Sequence, residues 1–228
     1  MKYISGLMTA ASGSVGGCTF SRNRSCEYVR ARVVPVNPAS SYQTAVRAYL
    51  ASLVASWTSV LTPAERAAWD AWAYATEQSG WGGKVYKMTG QNAYIKMNAL
   101  RLQLGVATTK VAPSVSSGAI LTPPGIVSAT GATEVLSISF TNTDAWATAV
   151  GGYLGVYIGR PQNPSVNFFK GPYRYMGKIS GAVTPPTSPL PITSTFPFAA
   201  GQNVFAQFRA CETDARISIA TRTFKLAV

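Results

Sequence analysis

Histidine is absent from this 228-residue sequence. That removes Ser-His and Cys-His dyads and most zinc sites, all of which use imidazole as base or ligand. Cysteine is scarce. Cys18, Cys26 and Cys211 show no metal-ligand spacing and no even disulfide set. Cys18 and Cys26 are placed to face each other across a hairpin, and the plainer reading of all three is small buried thiols. Acidic residues number eight, and they are scattered with no close pair in an apolar setting. Glu212 and Asp214 lie two apart in a polar turn, which reads as a solvated turn before it reads as a cation site. No GxxxxGK[ST] or GxGxxG stands on a strand-to-helix turn. No run is apolar for the ~18–20 residues a membrane span needs. The opening MKYISGLMTAASGSVGG holds only a short apolar patch broken by Ser5 and Gly6, which argues against a signal peptide. A Ser/Lys or Thr/Lys nucleophile has no positive support. The expectation is a non-enzymatic chain with no catalytic residue, no cofactor and no metal.

What is present is positive charge and apolar bulk. Lys and Arg number 20 against the 8 acids, a net +12, and hydrophobic residues make up 47%. The second figure is that of a folded chain rather than a disordered one. The first favours polyanionic partners: nucleic acid, an acidic protein surface or anionic lipid.

The strongest local signal runs from Asn37 to Ala73. Val46, Tyr49, Leu50, Leu53, Val54, Trp57, Val60 and Leu61 recur at helical spacing and line one face. Asn37 or the Ser40/Ser41 pair caps the start. Pro63 disfavours helix at Thr62, so the run ends by Leu61. Thr62, Pro63 and Glu65 then spell a capping box that opens a second helix. So short a connector predicts that the two helices pack on each other, with Trp57, Trp69 and Trp72 filling the seam.

Before this hairpin, residues 13–34 alternate like a β-hairpin, with Gly16-Gly17 ahead of CTF and CEYVRARVV returning. Arg22, Arg24, Arg30 and Arg32 make it a basic arm. One reading is a grip on nucleic acid or an acidic neighbour; the other is a solvated strand face. Such a hairpin is marginal alone, so it must lie on the helices, on a partner chain, or on both. After SGWGGK, a third helix is expected from about Gly90 to Leu104, capped by Thr89. Residues 105–124 have the Ser, Thr, Pro and Gly content of a linker. From Gly125 the period changes to two. IVSAT, EVLSISF, GYLGVYIG, PYRYMGKIS, NVFAQFRAC and ISIATRTFKL read as strands, and the Pro-rich AVTPPTSPLPITSTFPF as a surface crossing. The predicted class is α+β in two modules. An N-terminal β-arm (1–36) and a three-helix module (37–104) are joined by the linker (105–124) to an antiparallel β-sandwich (125–228).

On Pro123-Pro124-Gly125, the LSISF and YLGVYIG strands, and VFAQFRA followed by the Glu212–Asp214 turn and RISIA, the C-terminal region resembles a fibronectin type III-like module. The first ~105 residues resemble a structural protein type of tailed-phage and prophage genomes. The residues carrying that likeness are the Gly-rich start, Tyr28 to Pro38 (YVRARVVPVNP), the Gln43 to Arg47 helix opening, LTPAERAAWDAWA, and Thr89 to Asn98 (TGQNAYIKMN). The resemblance implies a virion component assembled in the host cytoplasm and bound to itself, as a homo-oligomer, or to other virion proteins. Its place would be capsid decoration, head or tail/neck assembly. Two other classes compete: a nucleic-acid binder using the Arg-rich arm, and a glycan- or receptor-binding sandwich with Trp146, Tyr153 and Tyr157 as platform residues. Tyr173-Arg174-Tyr175 and Phe205 to Arg209 interleave rings with cations as base-stacking surfaces do, but alternating strand aromatics are more often core.

Overall fold

The computed structural model describes residues 11–22, 27–79 and 85–228. Arg24, Cys26, Trp81 and residues 1–10 of the segment weighed as a leader fall outside them. The chain is α+β and forms two compact units, Met1–Thr44 and Ala45–Val228.

In the first unit, β1 (Gly13–Val15), β2 (Cys18–Arg22) and β3 (Glu27–Ala31) form an antiparallel sheet in that order. Gly16-Gly17 turns β1 into β2, and Gly16 sits at φ +57, where a side chain would be strained. The expected two-strand arm therefore gains a third strand ahead of its glycines. None of its described side chains is buried.

Helix α1 (Ser41–Ser59) starts where Ser40 Oγ accepts the Gln43 N–H at 3.4 Å. Helix α2 (Pro63–Ala75) opens on the predicted capping box: Thr62 N–H donates to Glu65 Oε2 at 2.7 Å, and Glu65 N–H to Thr62 Oγ1 at 3.3 Å. Those bonds from Thr62 hold the Glu65 carboxyl below its ordinary range. The box is therefore intact above that range and lost as pH falls through the lowered value. Thr62→Ala is expected to cost about 1 kcal/mol in urea unfolding, as cap removal does elsewhere.

The helix seam differs from expectation. Only Leu53, Trp57 and Leu61 of the α1 stripe and its continuation enter the core, and α2 packs chiefly on α3 (Gly90–Gln103) rather than along α1. Trp69 meets Trp72 and Tyr94 edge-on at 6.2 and 5.5 Å, and half-buried Trp57 lies on Tyr94 at 5.7 Å. Arg66 reaches back to the last-turn carbonyls of Trp57 and Thr58, both at 3.4 Å. Gly90 makes the α2–α3 approach possible, because a Cβ there would stand 2.6 Å from the Asp70 backbone nitrogen. Between α2 and α3, β4 (Glu77–Ser79) and β5 (Val85–Lys87) pair as a short ribbon.

The C-terminal region is two antiparallel sheets on a shared core. One has the order β10-β7-β6 and the other β12-β11-β8-β9. Their strands are β6 (Gly125–Thr130), β7 (Val135–Ser139), β8 (Tyr153–Gly159), β9 (Tyr173–Ser180), β10 (Leu190–Thr193), β11 (Asn203–Cys211) and β12 (Thr221–Leu226). Leu136 and Ile138 of the first sheet meet Leu154, Val156, Ile158, Val204 and Phe208 of the second. The Pro-rich crossing holds β10, an edge strand, where Pro191 removes no interior ladder bond. A short helix, α4 (Ala145–Thr148), unforeseen in the sequence, buries Trp146 against Phe140 at 5.4 Å.

Residues 105–124 do not separate helices from sheets. The indole N–H groups of Trp69 and Trp72 donate to the carbonyls of Lys110 (2.8 Å) and Val115 (2.7 Å). Fully buried Asn98 accepts the Thr109 N–H at 2.8 Å and donates to the Thr109 carbonyl at 3.2 Å. Helix α3 also lies on the outer face of the β8–β11 pair, where Leu100 and Leu104 cluster with Tyr157 and Cys211. Gly155 admits Leu104, whose Cδ2 would be 2.9 Å from an added Cβ. Strand β8 is thereby covered on both faces, which is why YLGVYIG reads as almost continuously apolar. The joint is pinned by Arg101 of α3. Its Nε donates to Ala107 O at 2.7 Å and its Nη1 to the carbonyls of Glu212 (3.3 Å) and Thr213 (3.5 Å).

Candidate functional site

Two surfaces are candidates: the N-terminal stretch, and a cleft within the 45–228 unit. In the N-terminal stretch, Arg30 sits mid-strand in β3 opposite Thr19, with its side chain exposed. Arg32 is also exposed, just past the strand, and its N–H donates to Gly17 O at 2.8 Å. Arg22 ends β2, and Arg24 lies outside the described residues. Exposed Cys18 stands opposite Ala31, and with Cys26 outside the described residues their expected pairing falls outside them too.

The stripe on α1 is the larger finding. Val46, Leu50 and Val54 keep 44, 51 and 39% of their surface exposed, although their spacing is that of a core-facing helix. Within the first half of α1 no side chain is buried. An apolar stripe left in water forgoes roughly 25 cal/mol for each Å² that a partner would cover.

The cleft, about 1100 Å³, opens between the C-terminal end of α2, the β4–β5 ribbon, α3, residues 116–119, β11 and residues 217–220. Lys87, Lys96 and Arg209 line it, with Glu77 the carboxylate among its lining residues. Lys87 rests over the Tyr74 ring at 3.7 Å. Burial lowers the Lys96 ammonium from its ordinary value, and the Arg209 guanidinium lowers it further. Trp72, Met97 and Ile217 supply the apolar wall.

Other residues singled out in the sequence lie in the scaffold. Trp69 and Trp72 are core. Trp146 is fully buried, with its indole N–H on Asp144 Oδ2 at 3.2 Å, and Tyr157 is buried, donating its hydroxyl to Gln103 Oε1 at 3.0 Å. Neither is placed as an open glycan platform. Tyr153 is half-buried, with the Lys178 ammonium over its ring at 5.0 Å. Tyr173 and Phe205 pack on Phe169 at 5.3 and 5.6 Å, so these rings are engaged with one another. Glu212 and Asp214 both hold Arg216, the latter at 2.6 Å. Burial nonetheless pushes the Glu212 carboxyl above its ordinary value against the pull of Arg216. The Cys211 thiol is likewise pushed up by burial, with Arg101 opposing, which marks an unreactive packing residue.

Sequence reasoning missed Arg101 as the joint, and it missed Arg209 as a lining residue of the cleft. The one available signal was that Arg209 falls on the same side of β11 as Phe205 and Gln207, facing away from the core formed by Val204, Ala206 and Phe208. Among the described residues no group of three or more Cys, Asp or Glu could hold a metal ion. No described helix is long and apolar enough to cross a membrane.

The class that fold and surfaces define is an α+β protein with a basic N-terminal arm, an exposed helical stripe and two antiparallel sheets on one core. No family model, curated protein or solved structure matches the chain.

Proposed function

We propose that the chain is a non-enzymatic structural subunit of a phage-type virion, serving capsid decoration or head, tail or neck assembly. It contacts neighbouring copies through the β-arm and the open face of α1. The observation carrying this reading is the exposed stripe Val46–Leu50–Val54. A helix face of that spacing is complementary to a second copy of itself, and repeated weak contacts in a symmetric particle sum to a strong one. The outer strands of the arm, β1 and β3, are the edges of its sheet and offer backbone groups for strand addition. The C-terminal sheets support a fibronectin type III-like reading: their strands divide three and four, β10 returns beside β7, and β11 lies between β8 and β12.

Sedimentation across a concentration series tests the proposal. The wild-type mass is expected to rise with concentration, and Leu50→Asp to hold the chain as a folded monomer. Leu50 is half exposed, so folding stability should move by only about 0.5 kcal/mol. A wild type that stays monomeric throughout, or a variant that associates equally well, would contradict it. The nucleic-acid alternative rests on the exposed Arg30 and Arg32. It gains if the chain stays monomeric and binds DNA or RNA with a log–log salt slope of about −0.9 per phosphate neutralised.

A further inference from the structure

Helix α3 covers one end of the outer face of the four-stranded sheet, around Tyr157 and Cys211. Beyond that end, the sheet does not turn to water the polar face usual for an antiparallel sheet packed on one side. Phe205 and Gln207 of β11 alternate with the core residues Val204, Ala206 and Phe208, and register sets them opposite Phe224 and Arg222 of β12. Phe224 stacks on Phe205 with ring centroids 5.0 Å and planes 26° apart. Phe205 lies on Phe169 at 5.6 Å, and Phe169 meets Tyr173 of β9 at 5.3 Å. The exposed Arg222 holds its guanidinium 5.6 Å from the Tyr173 ring and donates its Nε–H to Gln207 Oε1 at 3.3 Å. Phe224 and Leu226, along the same side of β12, keep 44 and 47% of their surface exposed.

The charge of this sheet is of one sign. Its four strands hold Arg174, Lys178, Arg209, Arg222 and Lys225 and no Asp or Glu. A second copy of the chain, itself of net charge +12, would meet like charge here. A neutral glycan would find no carboxylate on these strands to accept its hydroxyls. Exposed rings beside cations, with no acid among them, suit a polyanion that also presents flat apolar groups. We infer that this face binds single-stranded nucleic acid, with a base stacked on Phe224 and a neighbouring phosphate on Arg222. Phe205 backs the Phe224 ring, so little side-chain freedom is lost on binding. Gln207 and Tyr173 orient Arg222, whose planar fork suits phosphate oxygens. Every base has a flat face, so little sequence preference is expected. None of these residues belongs to the arm or to α1, so the site stands apart from the assembly contacts proposed above.

The test is fluorescence anisotropy of the full chain with two labelled strands of about twelve nucleotides, within the span such surfaces cover. One is oligothymidine and the other an abasic strand of equal charge. The wild type is expected to bind oligothymidine about tenfold or more tightly than the abasic strand, as base stacking contributes elsewhere. Phe224→Leu keeps apolar cover over Phe205 and removes the ring. It should weaken oligothymidine about five- to a hundredfold and leave the abasic strand unchanged. Arg222→Gln should weaken both strands and flatten the log–log salt slope by about 0.7, the loss of one phosphate contact. Arg30→Gln with Arg32→Gln should keep the preference for oligothymidine. No binding, or equal binding of both strands by the wild type, would overturn the inference, the latter reporting only general attraction to a basic chain. So would a Phe224→Leu variant that binds as the wild type does, or loss of the preference in the arm variant.

Discussion

Trp69→Ala is expected to lower the stability of the 45–228 unit by about 3–5 kcal/mol, the range for deleting a fully buried large aromatic side chain. Trp69 has no exposed surface and touches Trp72 and Tyr94, so the cavity would open at the junction of α2 and α3. Its indole N–H also satisfies the Lys110 carbonyl, which would be left without that donor. Trp69→Phe separates the two contributions by keeping a ring and deleting the N–H. It should cost about 1–2 kcal/mol, a hydrogen bond plus modest repacking. Urea unfolding measures both as midpoint shifts at constant slope. An alanine variant within about 0.5 kcal/mol of wild type, the usual spread for surface substitutions, would show that the aromatic cluster does not anchor the helices.

Arg101→Met should cost about 2–4 kcal/mol, because it removes a buried charged donor from the Ala107, Glu212 and Thr213 carbonyls, of which Glu212 O keeps the Ala215 N–H. The acceptors belong to two places: Ala107, just past α3, and Glu212 and Thr213, at the end of β11. The consequence reaches beyond the size of the loss. If helices and sheets form one cooperative unit, calorimetry of wild type shows one transition for residues 45–228, and Arg101→Met moves it as a whole. Two independent modules would instead give two transitions, with the sheet transition unmoved by the substitution. Methionine keeps most of the apolar stem, so the effect isolates the guanidinium.

Local chemistry was legible in the chain, and long-range packing was not. Thr62-Pro63-Ala64-Glu65 specifies a helix start by itself, since every partner in the capping box lies within four residues. Thr89 and the period-two strands after Gly125 could be read for the same reason. The α1 stripe was equally plain as a pattern, yet a pattern states which face is apolar and not what covers it. α2 takes α3 as its main partner, and Gly90 permits their close approach. Residues 105–124 have a linker's composition, but what ties them down is their backbone carbonyls, which accept from Trp69, Trp72, Thr76 and Asn98, and composition does not record that. Arg101 and Arg209 were invisible for a related reason: each looks like an ordinary surface cation until the sheet folds against α3.

The account turns on the claim that the arm and the open half of α1 are where one subunit meets the next. Hydrogen–deuterium exchange, compared between the free chain and isolated particles that contain it, tests this most directly. The account predicts strong protection of β1–β3 and of residues 41–52 on assembly, with little change in β8 and β11, which are already buried. Equal exchange of the arm and α1 in both states would contradict it.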